Sequence, residues 1–195
     1  MVNVANPWLV GPAPTKRLPH QRLEERILNL LSSQNMCVLA TAGADGALAT
    51  PVRYYHRDLV VFFTCQAGTP KLRNIEHDPR VSIGLFAPLV GQASSRGAQL
   101  FGNAEVLLPG MDGYVDGMAI YRWQSDAVER GRPLGQEPNG PLVRVAADRV
   151  VYTEHWLRRD RYSPRQFWSR TTDTSSLEPK DPATLPDSDR PLGSL

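Results

Sequence analysis

The chain has 195 residues, enough for one domain with a full core plus terminal arms. A net charge of only +2 gives no bulk electrostatic reason to bind nucleic acid. No apolar run approaches the ~20 residues that span a bilayer, and no charged-then-apolar leader opens the sequence, so a cytoplasmic protein without a membrane partner is expected.

Residues 1–18 contain three prolines and no sustained period, and read as an N-terminal arm. Pro19 suits the first position of a helix. Leu23, Ile27, Leu30 and Leu31 then fall at helical spacing, and the helix should end near Gln34-Asn35. The apolar run 36–42 reads as a strand, and GADG (43–46) as a tight hairpin turn into a second strand over 47–55, with a break allowed at Pro51. HRD (56–58) makes another turn. LVVFFT (59–64) is β-branched and aromatic, as a well-buried strand should be.

A short helix follows from Thr69-Pro70 to about His77, stopped by Asp78-Pro79. Residues 80–86 form a fourth strand, 87–95 a loop, and 96–108 a fifth strand. Gly97 and Gly102 inside that strand suggest a bulge or a close backbone approach. Residues 111–123 carry Met111, Tyr114, Met118 and Tyr121 at helical spacing, whereas 124–141 are polar and rich in Gly and Pro and read as a loop. A sixth strand covers 141–156, with a kink at Ala147-Asp148. Residues 19–170 thus make the domain, and 171–195, rich in Ser, Thr, Asp and Pro, a flexible C-terminal tail. Short connections between the first three strands exclude parallel crossovers, so the expected fold is mainly β: an antiparallel barrel with helical additions. Cys37 and Cys65 lack metal-ligand spacing and read as two reduced thiols; no metal site is expected.

The stretch TCQAGTPKLRNI (64–75) sets a chemical problem. Thr69 can cap a helix that Pro70 starts, yet the first turn carries Lys71 and Arg73. A helix N-terminus is already positive, so two cations there repel it unless an anion binds. Phosphate is the obvious anion; the alternative is that both side chains extend into water. Arg53, on the second strand, lies at the same end of the hairpin as Thr64 if the strands pair through HRD, and a guanidinium fork suits a phosphate. His56 falls in a turn and His155 follows a strand, so no catalytic general acid is assigned.

The run VLATAGADGALATPVRYYHRDLVVFFTCQAGTPKLRNIEHDPRVSIGLF, with GAQLFGNAEVL after it, resembles the pyridoxamine 5'-phosphate oxidase-like family of FMN-binding split barrels. The resemblance covers roughly 22–108 and, more loosely, 142–156. It implies a six-stranded antiparallel split barrel of Greek-key type with short peripheral helices, working as a homodimer with flavin at the subunit interface. It further implies an FMN-dependent oxidoreductase acting on a small molecule. Pro51, Val52 and Arg53 would lie along the flavin ring, Thr64, Thr69 and Lys71 at its phosphate, and Gln99 against the ring from the fifth strand. Arg159, Arg161 and Trp168, with Trp156 nearby, would cover the flavin or an anionic substrate, or else pack a dimer interface. Pro70 stands where pyridoxamine phosphate oxidases have Arg, Leu48 replaces another Arg, and the C-terminal Arg-x-His pair is missing. These departures argue against vitamin B6 phosphate as the substrate. Alternatives on the same barrel are a deazaflavin-dependent reductase and a non-catalytic flavin- or haem-binding protein.

Overall fold

A computed structural model describes residues 7–44, 46–88, 95–135 and 138–170. Helix α1 (His20–Ser33) buries Leu23, Ile27, Leu30 and Leu31, the stripe that its spacing predicts. Strands β1 (Met36–Gly43) and β2 (Gly46–Arg53) form a hairpin whose last pair is Gly43 with Gly46. Gly46 has φ 101°, a conformation that glycine adopts without strain. Strands β3 (Tyr55–Arg57) and β4 (Val60–Thr64) pair through a turn at Asp58. Helix α2 (Pro70–His77), β5 (Arg80–Phe86) and β6 (Arg96–Leu107) follow. Then come α3 (Tyr114–Tyr121), α4 (Trp123–Glu129), β7 (Leu142–Glu154), a 3-10 turn (His155–Arg158) and β8 (Arg165–Ser169).

The sheet runs β2-β1-β5-β6-β7-β4-β3, with β8 added beside β7. Every pairing is antiparallel. Its two ends, β2 and β3, are separated in sequence by Tyr54 alone. One residue advances the chain by only ~3.8 Å, so the sheet must curl until its ends nearly meet. This is the split barrel, and the apolar inner faces of β1, β4, β5, β6 and β7 form one core with α1 and α2.

The fold class agrees with the expected one, but the strand number does not: eight strands lie among the described residues, against six expected. One addition arises because the predicted strand 47–55 breaks at Tyr54, not at Pro51. Tyr54 is buried; its N–H donates to the Asn35 carbonyl at 3.0 Å and its hydroxyl to the Leu31 carbonyl at 2.7 Å. Pro51 stays within β2, which is an edge strand and needs no second ladder there. The other addition is β8. The predicted loop 124–141 also contains α4, separated from α3 by Arg122 at φ 56°.

The kink expected at Ala147-Asp148 is a β-bulge. Phe101 pairs with Arg149 and Gly102 with Ala147, leaving Asp148 as the extra residue. Gly102 sits against it so closely that a Cβ would lie 2.0 Å from the Ala146 carbonyl oxygen. Residues 7–18, the described part of the predicted arm, pack on the domain. Trp8 stacks on Trp156 at 5.0 Å, Arg158 donates to the Trp8 and Gly11 carbonyls, and Leu18 is buried. The predicted tail, 171–195, lies outside the described residues.

Gly102→Ala should lower the unfolding free energy by about 1–3 kcal/mol, as overpacking against rigid backbone does. Urea denaturation followed by fluorescence measures this, and an unchanged midpoint would show that the bulge can shift to make room.

Candidate functional site

A groove of about 720 Å³ opens where β4 ends and α2 begins. One wall is Thr64, Cys65, Gln66, Ala67, Thr69 and Lys71. The opposite wall is the excursion between β6 and β7: Met118 and Tyr121 of α3, Trp123, Asp126 and Ala127 of α4, then Arg130 and Arg132. Strand pairing fixes the floor. Thr64 and Leu107 both pair with Leu142 at the start of β7, and the Cys65 N–H donates to the Pro141 carbonyl at 3.3 Å.

The start of α2 is chemically unfinished. Thr69 occupies the capping position, but its hydroxyl makes no cap hydrogen bond. It donates instead to the Gln66 carbonyl at 3.0 Å, closing the preceding turn. The expected cap is therefore replaced by a turn. Pro70 has no N–H, and the Lys71 N–H precedes the first intrahelical bonds, which the Leu72 and Arg73 N–H groups make to the Thr69 carbonyl. The two puzzling cations divide. Arg73 is exposed and folds back to donate to the Gly68 carbonyl. Lys71 is half-buried on the groove wall, and among the described residues no carboxylate pairs with it.

Arg53 ends β2 beside α4 and is not among the residues that line the groove. Its Nη1 donates to Glu129 at 2.6 Å and lies 3.7 Å from Asp126, which also binds Arg130 at 2.9 Å. Arg53 and Thr64 thus approach the same two helices, but not as the two ends of one hairpin: β2 pairs with β1, whereas β4 pairs with β3 and β7, and Arg53 is already occupied by carboxylates. The buried Tyr121 hydroxyl lies within hydrogen-bonding reach of Thr64; burial pushes its pKa up, with the Thr64 contact opposing. Burial likewise raises the Cys65 thiol, although Lys71 pulls it down. Burial pushes the core Cys37 thiol to about 12. Both thiols are free.

Pro51 and Val52 are on edge strand β2 next to Arg53, and like it are not in the groove lining. Gln99 is elsewhere. It lies on the outer face of β6, in a cross-strand row running Pro51, Val38, Gly84, Gln99, Val151 and Phe167. Three strand spacings separate it from Pro51, up to ~14 Å along the sheet. Arg159 and Arg161 are exposed in the turn before β8.

Trp168 requires a correction. It is 5% exposed, stacks on His20, and its ring N–H donates to Glu24 at 2.8 Å, so it is core rather than a ligand cover. Its alternation with the outward Phe167 on β8 could have shown this, but that strand went unread. Arg130, Arg132 and Asp126 lie in a segment whose Gly and Pro content reads as loop; the spacing of Asp126 and Arg130, one helical turn apart, is the signal of a helix there. Among the described residues no cluster of three His, Cys, Asp or Glu side chains could hold a metal. No described helix is long and apolar enough to cross a membrane.

Solved structures share the fold at low identity. General Stress Protein 26 from Bacillus anthracis str. Sterne is 19% identical with TM-score 0.54, the match covering 76% of this chain and 98% of that one. A FAD-binding protein from Mesorhizobium loti is 17% identical with TM-score 0.51, over 63% and 88% of the two chains. A heme binding protein from Mycobacterium smegmatis is 22% identical with TM-score 0.56, over 71% of this chain and 55% of that one. No curated protein sequence matches the chain. The family model described as pyridoxamine 5'-phosphate oxidase matches residues 23–153, a span that takes in β1–β6, nearly all of β7 and the whole groove, and the chain belongs to that family.

Proposed function

We propose that the protein is an FMN-dependent oxidoreductase acting on a small-molecule substrate, with the flavin seated at the interface of a homodimer. The observation that carries this reading is Lys71: a half-buried cation on the groove wall, beside an uncapped helix start and without a carboxylate partner among the described residues. The groove fits a phosphate in sign and donors. It offers three cations, Lys71, Arg130 and Arg132, and the hydroxyls of Thr64 and Thr69. Its one carboxylate, Asp126, is already bound by Arg130.

Lys71, Thr64 and the free Lys71 N–H would hold the phosphate from one wall, with Arg130 and Arg132 facing it from the other. Pro51 and Val52 lie on an edge strand, whose outward N–H and C=O groups suit the rim of a planar heterocycle. The flavin itself would supply hydride exchange at N5. The protein's part is to bind and orient, and Arg159 and Arg161 remain exposed for an anionic substrate. Vitamin B6 phosphate is disfavoured as that substrate because Pro70 and Leu48 stand where arginines are expected, and the arginines after His155 lack the His of an Arg-x-His pair.

The homodimer has a surface to use. The outer face of β1, β2, β5 and β6 carries small residues, among them Ala40, Ala49, Gly84 and Gly97, with Phe86 71% exposed and Met36 48% exposed on it. Such an apolar face suits a second copy of the chain.

The haem-binding relative supplies a second reading on the same fold. Against it, no histidine lines the groove among the described residues. A deazaflavin would also fit, its longer phosphate tail reaching Arg130 and Arg132.

The purified protein should absorb near 450 nm; a Soret band instead would support haem, and a colourless protein that takes up deazaflavin would support the third reading. Lys71→Ala should weaken FMN binding about tenfold or more, because a charge-assisted hydrogen bond is lost. Unchanged affinity in a fluorescence-quenching titration would remove Lys71 from the phosphate site. Phe86→Asp should shift the protein from dimer to monomer in sedimentation analysis and release flavin with it. A variant that stays dimeric would exclude this face as the interface.

A further inference from the structure

Of the three groove cations, Arg130 alone is paired with a carboxylate among the described residues. Its Nε donates to Asp126 and lies 2.9 Å from each of the two carboxylate oxygens. Asp126 is itself held in place: it is 8% exposed, and its Oδ1 also lies 3.7 Å from Arg53. The backbone is fixed as well. Arg130 caps the C-terminus of α4, its N–H donating to the Asp126 and Ala127 carbonyls. The chain then turns at Gly131, φ 63°, and the Arg132 N–H returns to the Ala127 carbonyl at 2.8 Å. Among the described residues the Nη1 and Nη2 groups of Arg130 have no partner, and the side chain is 52% exposed where it lines the groove. An arginine tied down through Nε with both terminal nitrogens open is a fork set for an oxyanion.

We propose that Asp126 is a positioning residue that holds Arg130 as a two-pronged clamp for a terminal phosphate group, opposite Lys71. The inference rests on the groove being the phosphate site of the proposed function, and it assigns the second wall of that site. A terminal phosphate has three peripheral oxygens. Two of them match the Arg130 fork, and the third remains for Lys71 or the free N–H at the start of α2. Lysine in place of Arg130 would keep the charge but lose the fork. Asp126 then acts in the direction opposite to its charge. A carboxylate on the wall lowers the positive potential of the groove, yet by ordering the fork it strengthens binding.

The test uses the full-length protein, with inorganic phosphate and FMN titrated by calorimetry into wild type, Arg130→Lys, Asp126→Ala and the double variant. Arg130→Lys should weaken phosphate binding about tenfold, the contribution of one charge-assisted hydrogen bond. Asp126→Ala should weaken it roughly threefold to tenfold, although charge alone predicts tighter binding. That loss should vanish in the Arg130→Lys background, because the double-mutant cycle isolates the pair. If Asp126→Ala does not fold, Asp126→Asn keeps the shape of the side chain and should lose affinity in the same direction. Wild type that takes up no phosphate, Asp126 variants that bind it equally or more tightly, or a loss that survives in the Arg130→Lys background would overturn the proposal. The FMN arm separates the two levels. Wild type that binds phosphate but not FMN sinks the flavin reading alone, while the phosphate cycle still decides the clamp. FMN binding that none of the variants alters sinks the clamp and leaves the flavin reading standing.

Discussion

Tyr54 is the constraint on which the rest of the molecule turns. It is the one residue between the two terminal strands of the sheet, β2 and β3. A chain that must pair with β1 on one side of Tyr54 and with β4 on the other cannot do so in a flat sheet. Burying the Tyr54 ring and anchoring its hydroxyl on the end of α1 fixes that corner. Curling the sheet then brings the end of β2 round to the α3–α4 excursion, where the end of β4 also arrives. Arg53 and Thr64 belong to different hairpins yet both reach the same pair of helices for this reason.

The groove is a second consequence, set by where the long β6–β7 ladder stops. Leu107 and Leu142 form its last pair, and α3 and α4 are the chain spliced between them. The splice has to lie over whatever adjoins that end, which is Thr64 and the start of α2. Gly117 lets α3 pack closely: a Cβ there would come within 2.5 Å of Leu142. Packing, rather than charge attraction, therefore brings Arg130 and Arg132 opposite Lys71. Like charges are thus assembled by the apolar core beneath them.

Much of the fold was legible in the sequence because its signals are local. The period of Leu23, Ile27, Leu30 and Leu31, the hairpin at Gly43–Gly46 and the β-branched run before Thr64 each specify their element without help from the rest. Tyr54 was not legible as a corner, since its role depends on a hydrogen bond to α1, twenty-three residues earlier. Strand β8 was missed for a related reason. Its five residues have a partner, β7, only after the turn at 155–158 folds them back. For the site, Lys71 was readable because a cation in the first turn of a helix violates a local rule. Arg130 and Arg132 violate none, and only the tertiary fold places them across the groove. Arg73 shows the limit of the local rule: it breaks the rule just as Lys71 does, yet the backbone of its own loop satisfies it.

The charge arrangement also links ligand to stability. Across the groove Lys71 faces Arg130 and Arg132, and the Asp126 carboxylate is shared between Arg130 and Arg53. On the proposed reading, an anion in the groove would screen the repulsion between the walls and satisfy the start of α2. Both effects exist only in the folded chain, because unfolding separates α2 from α4. Such binding would therefore stabilise the fold by mass action, about 2.7 kcal/mol at a hundredfold excess over the dissociation constant. That stabilisation falls on the contact between the barrel and the α3–α4 excursion, which rests on the small apolar cluster of Phe62, Leu107, Tyr114, Met118, Tyr121 and Leu142 rather than on the main core.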